Sequence, residues 1–170
     1  MDNKVLIQEM RQAIKKNDLE TVKNLIEQNK ELLKVETVFG TFLHDAALFG
    51  VYDIAKFFIN CGIDINKKSG LRKSSAIASA ASEGHLDIVK LLFENGAVLD
   101  VSTPEGNPLL AAIPDNNIEV AKFLIDHGID ITAKYDIGEI ENCDAMEYAR
   151  QYGRTEIYNY LKEKKINDKK

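Results

Sequence analysis

The chain has 170 residues, 45% apolar and 29% charged, with 10 glycines, three prolines, two cysteines and no tryptophan. That apolar share is enough for a sizeable core and excludes disorder as the main state. A balance of 22 basic against 27 acidic residues, net −5, argues against a general electrostatic grip on nucleic acid or an anionic membrane.

No window approaches the roughly 18 apolar residues of a membrane span. The start, Met1-Asp2-Asn3-Lys4, does not read as a signal peptide. Cys61 and Cys143 lie far apart, which suggests free thiols and a reducing, cytoplasmic compartment rather than a disulfide framework.

In chain order, the first helical pair is marked by Ala13, a turn at Asn17, Leu25 in the second helix and a breaker at Asn29. The second opens at Thr41, carries Ala46, turns at Gly50, continues through Ile54 and Phe58, and closes at Gly62. The third repeats this as Ser75, Ala80, Gly84, Ile88, Leu92 and Gly96. The fourth reads Asn107, Ala112, Asn116, Val120, Leu124 and Gly128. The fifth opens at Asp144 and runs through Ala149, Gly153, Ile157 and Leu161.

Successive turn residues are 33, 34, 32 and 37 positions apart, so the chain predicts a repeat array. Its units are 3–35, 36–68, 69–101, 102–134 and 135–165, within one domain spanning 1–165 and followed by a flexible tail, 166–170. Each turn residue is Gly or Asn, the types that enter the left-handed region most cheaply. The alanine four positions earlier lets neighbouring helices approach closely. Thr41, Ser75, Asn107 and Asp144 are N-cap types. In the second to fifth units, residues four apart after the turn form an apolar stripe. Neither helix of a pair is long enough to stand alone in water, so stability is a sum of unit–unit interfaces.

These residues resemble the ankyrin repeat. Thr41-Phe42-Leu43-His44-Asp45-Ala46-Ala47 looks like its T-P-L-H-x-A-A signature, with Phe42 replacing the proline. Gly84-His85-Leu86-Asp87-Ile88-Val89-Lys90-Leu91-Leu92 looks like its G-H-x-x-I-V-K-L-L segment. Gly62-Ile63-Asp64-Ile65-Asn66 and Gly128-Ile129-Asp130-Ile131-Thr132 look like its G-A-D-V-N close. The fold implied is an all-α ankyrin solenoid. Ser75-Ala76-Ile77-Ala78 and Asn107-Pro108-Leu109-Leu110 depart from T-P-L-H, which leaves the finger hydrogen bonds of those two units open. A tetratricopeptide-like array is the alternative, but its pattern wants tryptophan.

The terminal units read as polar caps. Asn24 stands where Phe57, Leu91 and Phe123 are expected to bury. The last helix is expected from Thr155 to about Lys164, with a frayed basic tail beyond.

No constellation carries catalytic chemistry. His44 matches the family's structural, finger-bracing histidine, His85 sits at a turn, and His127 suits a helix C-terminus. None has the neighbours of a triad or a metal set, neither cysteine has a histidine partner nearby, and no glycine-rich loop cradles phosphate. The expectation is therefore no enzyme, no cofactor and no metal.

The resemblance implies a concave face built from the fingers and first helices. The candidate partner-binding residues on it are Phe39, Leu48, Phe49, Leu71, Arg72, Glu83, Glu105, Asp115, Tyr135, Glu139 and Tyr152. Exposed aromatics such as Phe49 and Tyr152 are better explained by a partner than by folding, although Phe39 and Phe49 packing on each other explains those two equally well. Lys67, Lys68, Arg72 and Lys73 make one basic finger. Glu83, Glu105, Asp115, Asp136, Glu139 and Glu141 make the C-terminal half acidic, which suits a basic protein.

Residues 135–146 also resemble the penultimate finger and final repeat of bacterial ankyrin proteins encoded beside polymorphic toxins. That resemblance implies an immunity protein that binds and blocks a toxin domain, often a cationic nuclease; separately, the chain is expected to be a monomer. A general adaptor, or a secreted effector that tethers a host protein, is the alternative. Enzyme and RNA binder rank below both.

Overall fold

The expected turn residues all lie in the left-handed region, with φ of +56° at Asn17, +68° at Gly50, +77° at Gly84, +58° at Asn116 and +67° at Gly153. Each reverses the chain between two short antiparallel helices. The structure, a computed structural model, describes residues 3–167. The pairs are α1 (Asn3–Lys15) with α2 (Leu19–Gln28), α3 (Phe42–Leu48) with α4 (Tyr52–Asn60), and α5 (Ala76–Glu83) with α6 (Leu86–Glu94). They continue with α7 (Pro108–Ala112) and α8 (Ile118–Asp126), then α9 (Ala145–Gln151) and α10 (Thr155–Asn167).

The pairs stack into two rows. In one, α1, α3, α5, α7 and α9 touch in sequence; in the other, α2, α4, α6, α8 and α10 do. Ala13, Ala46, Ala80, Ala112 and Ala149 are all buried between the helices of the first row. A bulkier side chain there would hold the helices apart. Ile54, Phe58, Ile88, Leu92, Val120, Leu124, Ile157 and Leu161 bury the expected stripe between the rows. Of the three residues set against Asn24, only Leu91 is buried; Phe57 and Phe123 are half-buried. Phe123 reaches the side of the stack and packs on Phe93 and His127.

Three of the four caps act as expected. Asn107 accepts from the Leu109 and Leu110 N–H groups, Asp144 from Glu147 N–H, and Thr41 forms a reciprocal capping box with His44. Ser75 does not: its hydroxyl makes no cap bond and is buried without a partner. Asn29 closes α2 as expected, as its C-cap, but with a backbone unlike that of the later glycine breakers. Its backbone is extended (φ −149°), and its side chain caps a 3-10 turn, Lys30–Lys34, by accepting from Glu31 N–H.

The closing segments are tied from unit to unit. Asn66 donates to Gly96 O (3.0 Å) and accepts from Val98 N–H (2.8 Å), thirty-odd residues ahead. The fingers pair as isolated bridges, Thr37 with Gly40 and Ser69 with Ser74. The longer 37-residue interval holds a hairpin, β1 (Tyr135–Ile137) antiparallel to β2 (Ile140–Cys143), the one named sheet among the described residues. At the C-terminus α10 extends past the expected end near Lys164. Lys164 pairs with Asp126 (2.5 Å) and Lys165 with Asp144 (3.1 Å), which fastens a segment expected to fray. Of the expected tail, Ile166 is helical, and 168–170 lie outside the described residues.

Candidate protein-binding groove

In the third to fifth units, residues just before the turns (Ser82, Pro114, Asp115 and Tyr152) meet finger residues in one cleft. Toward the C-terminal half of the stack they enclose a groove of about 550 Å³. Its walls are Arg72, Glu105 and Asp136 from the fingers, and Ser82, Asp115, Tyr148 and Tyr152 from the first-row helices and their turns. Pro104, Pro114, Leu110, Ala111 and Ile137 supply apolar surface.

Four of the expected partner-binding residues, Arg72, Glu105, Asp115 and Tyr152, converge here. Tyr152 is 45% exposed. The side chains of Arg72, Glu105 and Asp115 make no hydrogen bond or ion pair with any described residue. Asp136 spends one oxygen on Asn142 N–H (3.0 Å). Elsewhere some acids are paired, Asp45 with Arg11, Glu36 with Lys67 and Asp126 with Lys164, while others, such as Asp53, Glu83, Glu94 and Glu139, are as free of ion pairs as those of the groove.

The other expected residues are placed differently. Leu48 and Phe49 are half-buried, and Phe49 packs against the core. Phe39 does not pack on Phe49; its ring lies 3.9 Å under the Arg11 guanidinium. Phe39, with Val38 and Leu71, forms an exposed cluster on the first two finger tips, joined by a hydrogen bond from Leu71 N–H to Val38 O. Glu83 and Glu139 are exposed outside the groove lining. Tyr135 is half-buried and braces a finger: its hydroxyl donates to Val101 O (2.7 Å) and accepts from Asn107 Nδ2 (3.0 Å). That tyrosine serves the fourth unit as His44 serves the second.

Tyr148 was missed by the sequence reading. It stands four residues before Tyr152, which puts both rings on one helix face. Their centroids are 4.9 Å apart and their hydroxyls 3.5 Å. Burial and the neighbouring hydroxyl push the Tyr148 phenol up from its ordinary value, so it stays neutral. The basic finger is weaker than its sequence suggests. Lys67 is bound to Glu36 (2.8 Å) and Lys68 to Asp100, leaving Arg72 and Lys73 outside these ion pairs.

Each histidine has a ring nitrogen within hydrogen-bond reach of a backbone carbonyl. The Thr41 N–H and hydroxyl lie 3.2 and 2.9 Å from His44 Nδ1, and Nε2 lies 2.9 Å from Ser74 O, which fixes the Nε2–H tautomer. Burial depresses the His44 pKa and keeps the ring neutral. His127 Nδ1 lies 2.7 Å from Phe123 O, four residues back at the end of α8. Burial raises both thiols, the opposite of what an activated nucleophile needs. Cys61 lines a second cleft of about 490 Å³ in which Lys34 and Lys67 are already paired with Glu31 and Glu36. No nucleophile–base pair forms at either cleft.

Paired short helices, left-handed turns, hydrogen-bonded fingers and a lateral groove define a repeat scaffold of the binding type. A family profile described as ankyrin repeats (3 copies) matches residues 10–103, 43–135 and 77–170, and the chain belongs to the ankyrin repeat family. Ankyrin repeats are generic protein–protein interaction modules. Among relatives, an ankyrin repeat and KH domain-containing protein, mask-1, from Caenorhabditis elegans is 35% identical over 71% of this chain and 4% of its own length. Alpha-latrocrustotoxin-Lt1a from Latrodectus tredecimguttatus is 31% identical over 80% of this chain and 10% of its own. A Rickettsia felis protein described as an ankyrin repeat protein is 28% identical over 75% of this chain and 61% of its own. The chain thus spans less than two thirds of each. No helix among the described residues is long and apolar enough to cross a membrane.

Proposed function

We propose that this chain is a non-enzymatic binding module whose concave groove takes a basic protein, in the manner of a toxin-neutralising immunity protein. The observation that carries the groove is the set of unpaired carboxylates, Glu105 and Asp115, beside the exposed Tyr152 in one cleft. Charges left without internal partners beside an aromatic anchor are the ingredients of a charge-steered interface. The toxin assignment is supported by the resemblance of residues 135–146, whose hairpin forms the C-terminal wall of the groove through Asp136, Ile137 and Gly138. A cytoplasmic, monomeric protein fits the two free thiols and the net charge of −5.

The test is co-purification from the native lysate with wild type and with Glu105→Lys/Asp115→Lys side by side. A cationic toxin domain held by the wild type and lost by the variant is the expected result. A neutral or acidic partner held equally by both contradicts the reading. A cationic host protein that is not a toxin keeps the groove and replaces immunity by tethering.

A further inference from the structure

The chain already shows how it holds an arginine. Arg11 donates through Nε and Nη2 to the two carboxylate oxygens of Asp45, at 2.9 and 3.1 Å, while its flat face covers the Phe39 ring at 3.9 Å. A planar guanidinium can do both at once, because its donors lie in the plane and its face is only weakly hydrated. The groove at the other end of the stack offers the same two elements, with no cation paired to its carboxylates or rings among the described residues. Tyr148 and Tyr152 present neighbouring rings, and Glu105, Asp115 and Asp136 line the same cleft. Arg72 is the sole cation in that lining, and it is bound to none of them. Three carboxylates, all on exposed residues, face one guanidinium, so the cleft is short of positive charge.

We infer that the groove is an arginine-reading site: an arginine side chain of the partner stacks on the Tyr148–Tyr152 pair and forks onto the Glu105, Asp115 and Asp136 carboxylates. This rests on the groove reading above and narrows it from a basic partner to a guanidinium. A lysine ammonium can satisfy the carboxylates as a point charge but has neither the fork nor the flat face. Arg72 then acts as an internal competitor, lowering the negative field that draws the incoming cation. Neutralising it should tighten binding, whereas a residue that contacts the partner directly would weaken binding when removed.

The experiment uses the full chain and three blocked peptides of otherwise identical glycine-rich sequence carrying two arginines, two lysines or two norleucines. Binding is followed by amide chemical shifts up to millimolar peptide. The arginine peptide should bind about tenfold tighter than the norleucine peptide and several-fold tighter than the lysine peptide, with shifts confined to the fingers and α9. Tyr152→Leu should weaken it about five- to tenfold, and Arg72→Gln should tighten it about two- to fivefold, the gain shrinking as salt rises. Equal binding of the arginine and norleucine peptides, or shifts centred on α2, α4 and α6, would overturn the assignment. If the arginine peptide fails but a captured basic protein is still lost on Glu105→Lys/Asp115→Lys, the groove reading stands and the arginine site falls. Loss of both removes the groove itself.

Discussion

The imidazole of His85 occupies the space that a side chain on Gly50 would need: a Cβ on Gly50 would lie 2.4 Å from His85 Cε1. His85 Nε2 lies 3.3 Å from Leu48 O, so the residue after one turn reaches back to the turn of the unit before it. The same device recurs along the stack. Asn117 Nδ2 donates to Ala81 O (3.0 Å) and Ser82 O (2.8 Å), and Arg154 donates to Pro114 O. These side chains close carbonyls that a helix end leaves open, and they set the spacing between units along the groove wall.

Gly50→Ala should therefore cost more than Gly62→Ala. Both have positive φ, +68° and +81°, but nothing lies near a Cβ at position 62. Gly62→Ala should lose about 1–2 kcal/mol from backbone strain alone. Gly50→Ala should lose a further about 1–3 kcal/mol from overpacking. His85→Ala in the Gly50→Ala background should recover part of that excess, read as coupling in a denaturant double-mutant cycle. Equal midpoints for the two single variants would contradict the contact.

Leu92→Ala tests the register of the stack. Leu92 is fully buried at the centre of the second row, between the units on either side. Truncation should cost about 2–5 kcal/mol. An unchanged denaturant midpoint would place Leu92 outside the core.

At the N-terminal end, Asp45 is 2% exposed and, among the described residues, Arg11 is the cation paired with it. Burial raises the Asp45 pKa and the Arg11 guanidinium opposes that rise. Arg11→Ala leaves a buried carboxylate unpaired and should cost about 3–5 kcal/mol. Asp45→Asn should cost less, because no buried charge remains. Thermal unfolding of the two variants checks the order, and the reverse order would deny the pair its role.

His44 gives a pH dependence of definite sign. Its folded pKa is depressed by burial, so the unfolded chain takes up the proton first as pH falls. The contribution of the neutral ring is complete above its unfolded value of about 6.5. It is lost as pH falls through the depressed folded value. Asp45 runs the other way: its raised pKa gives stability at low pH that fades as pH rises through the folded value. The stability difference between wild type and His44→Gln isolates the histidine. That difference should shrink as pH is lowered from 7 to 5; a constant difference would contradict the buried neutral ring.

What could be read from the sequence was whatever the backbone fixes locally. Asn17 and Gly84 announce their turns because few residue types tolerate positive φ, and Ala80 announces its interface because few fit it. What could not be read depends on neighbours thirty or more residues away. Ser75 has the right chemistry for a cap but makes no cap bond. Tyr135 looks like an exposed anchor until Val101 and Asn107 are brought to its hydroxyl. Phe49 becomes half-buried through packing of adjacent units. Tyr148 carried a signal, its four-residue spacing from Tyr152, that points to a shared face but not to what that face lines.

The central claim is that binding occurs on the groove side, and kinetics with the captured partner test it most directly. Tyr152 is the better anchor to remove, since Phe49 also supports the core. Tyr152→Ala should cost about 1–4 kcal/mol of binding without loss of fold. Glu105→Lys with Asp115→Lys should mainly slow association, by less as salt rises. Lys56→Glu with Lys90→Glu, on the exposed face of the second row, should leave both rates near wild type. Loss of binding from the Lys56 and Lys90 pair, with Tyr152→Ala unaffected, would place the partner on the opposite face and contradict the account.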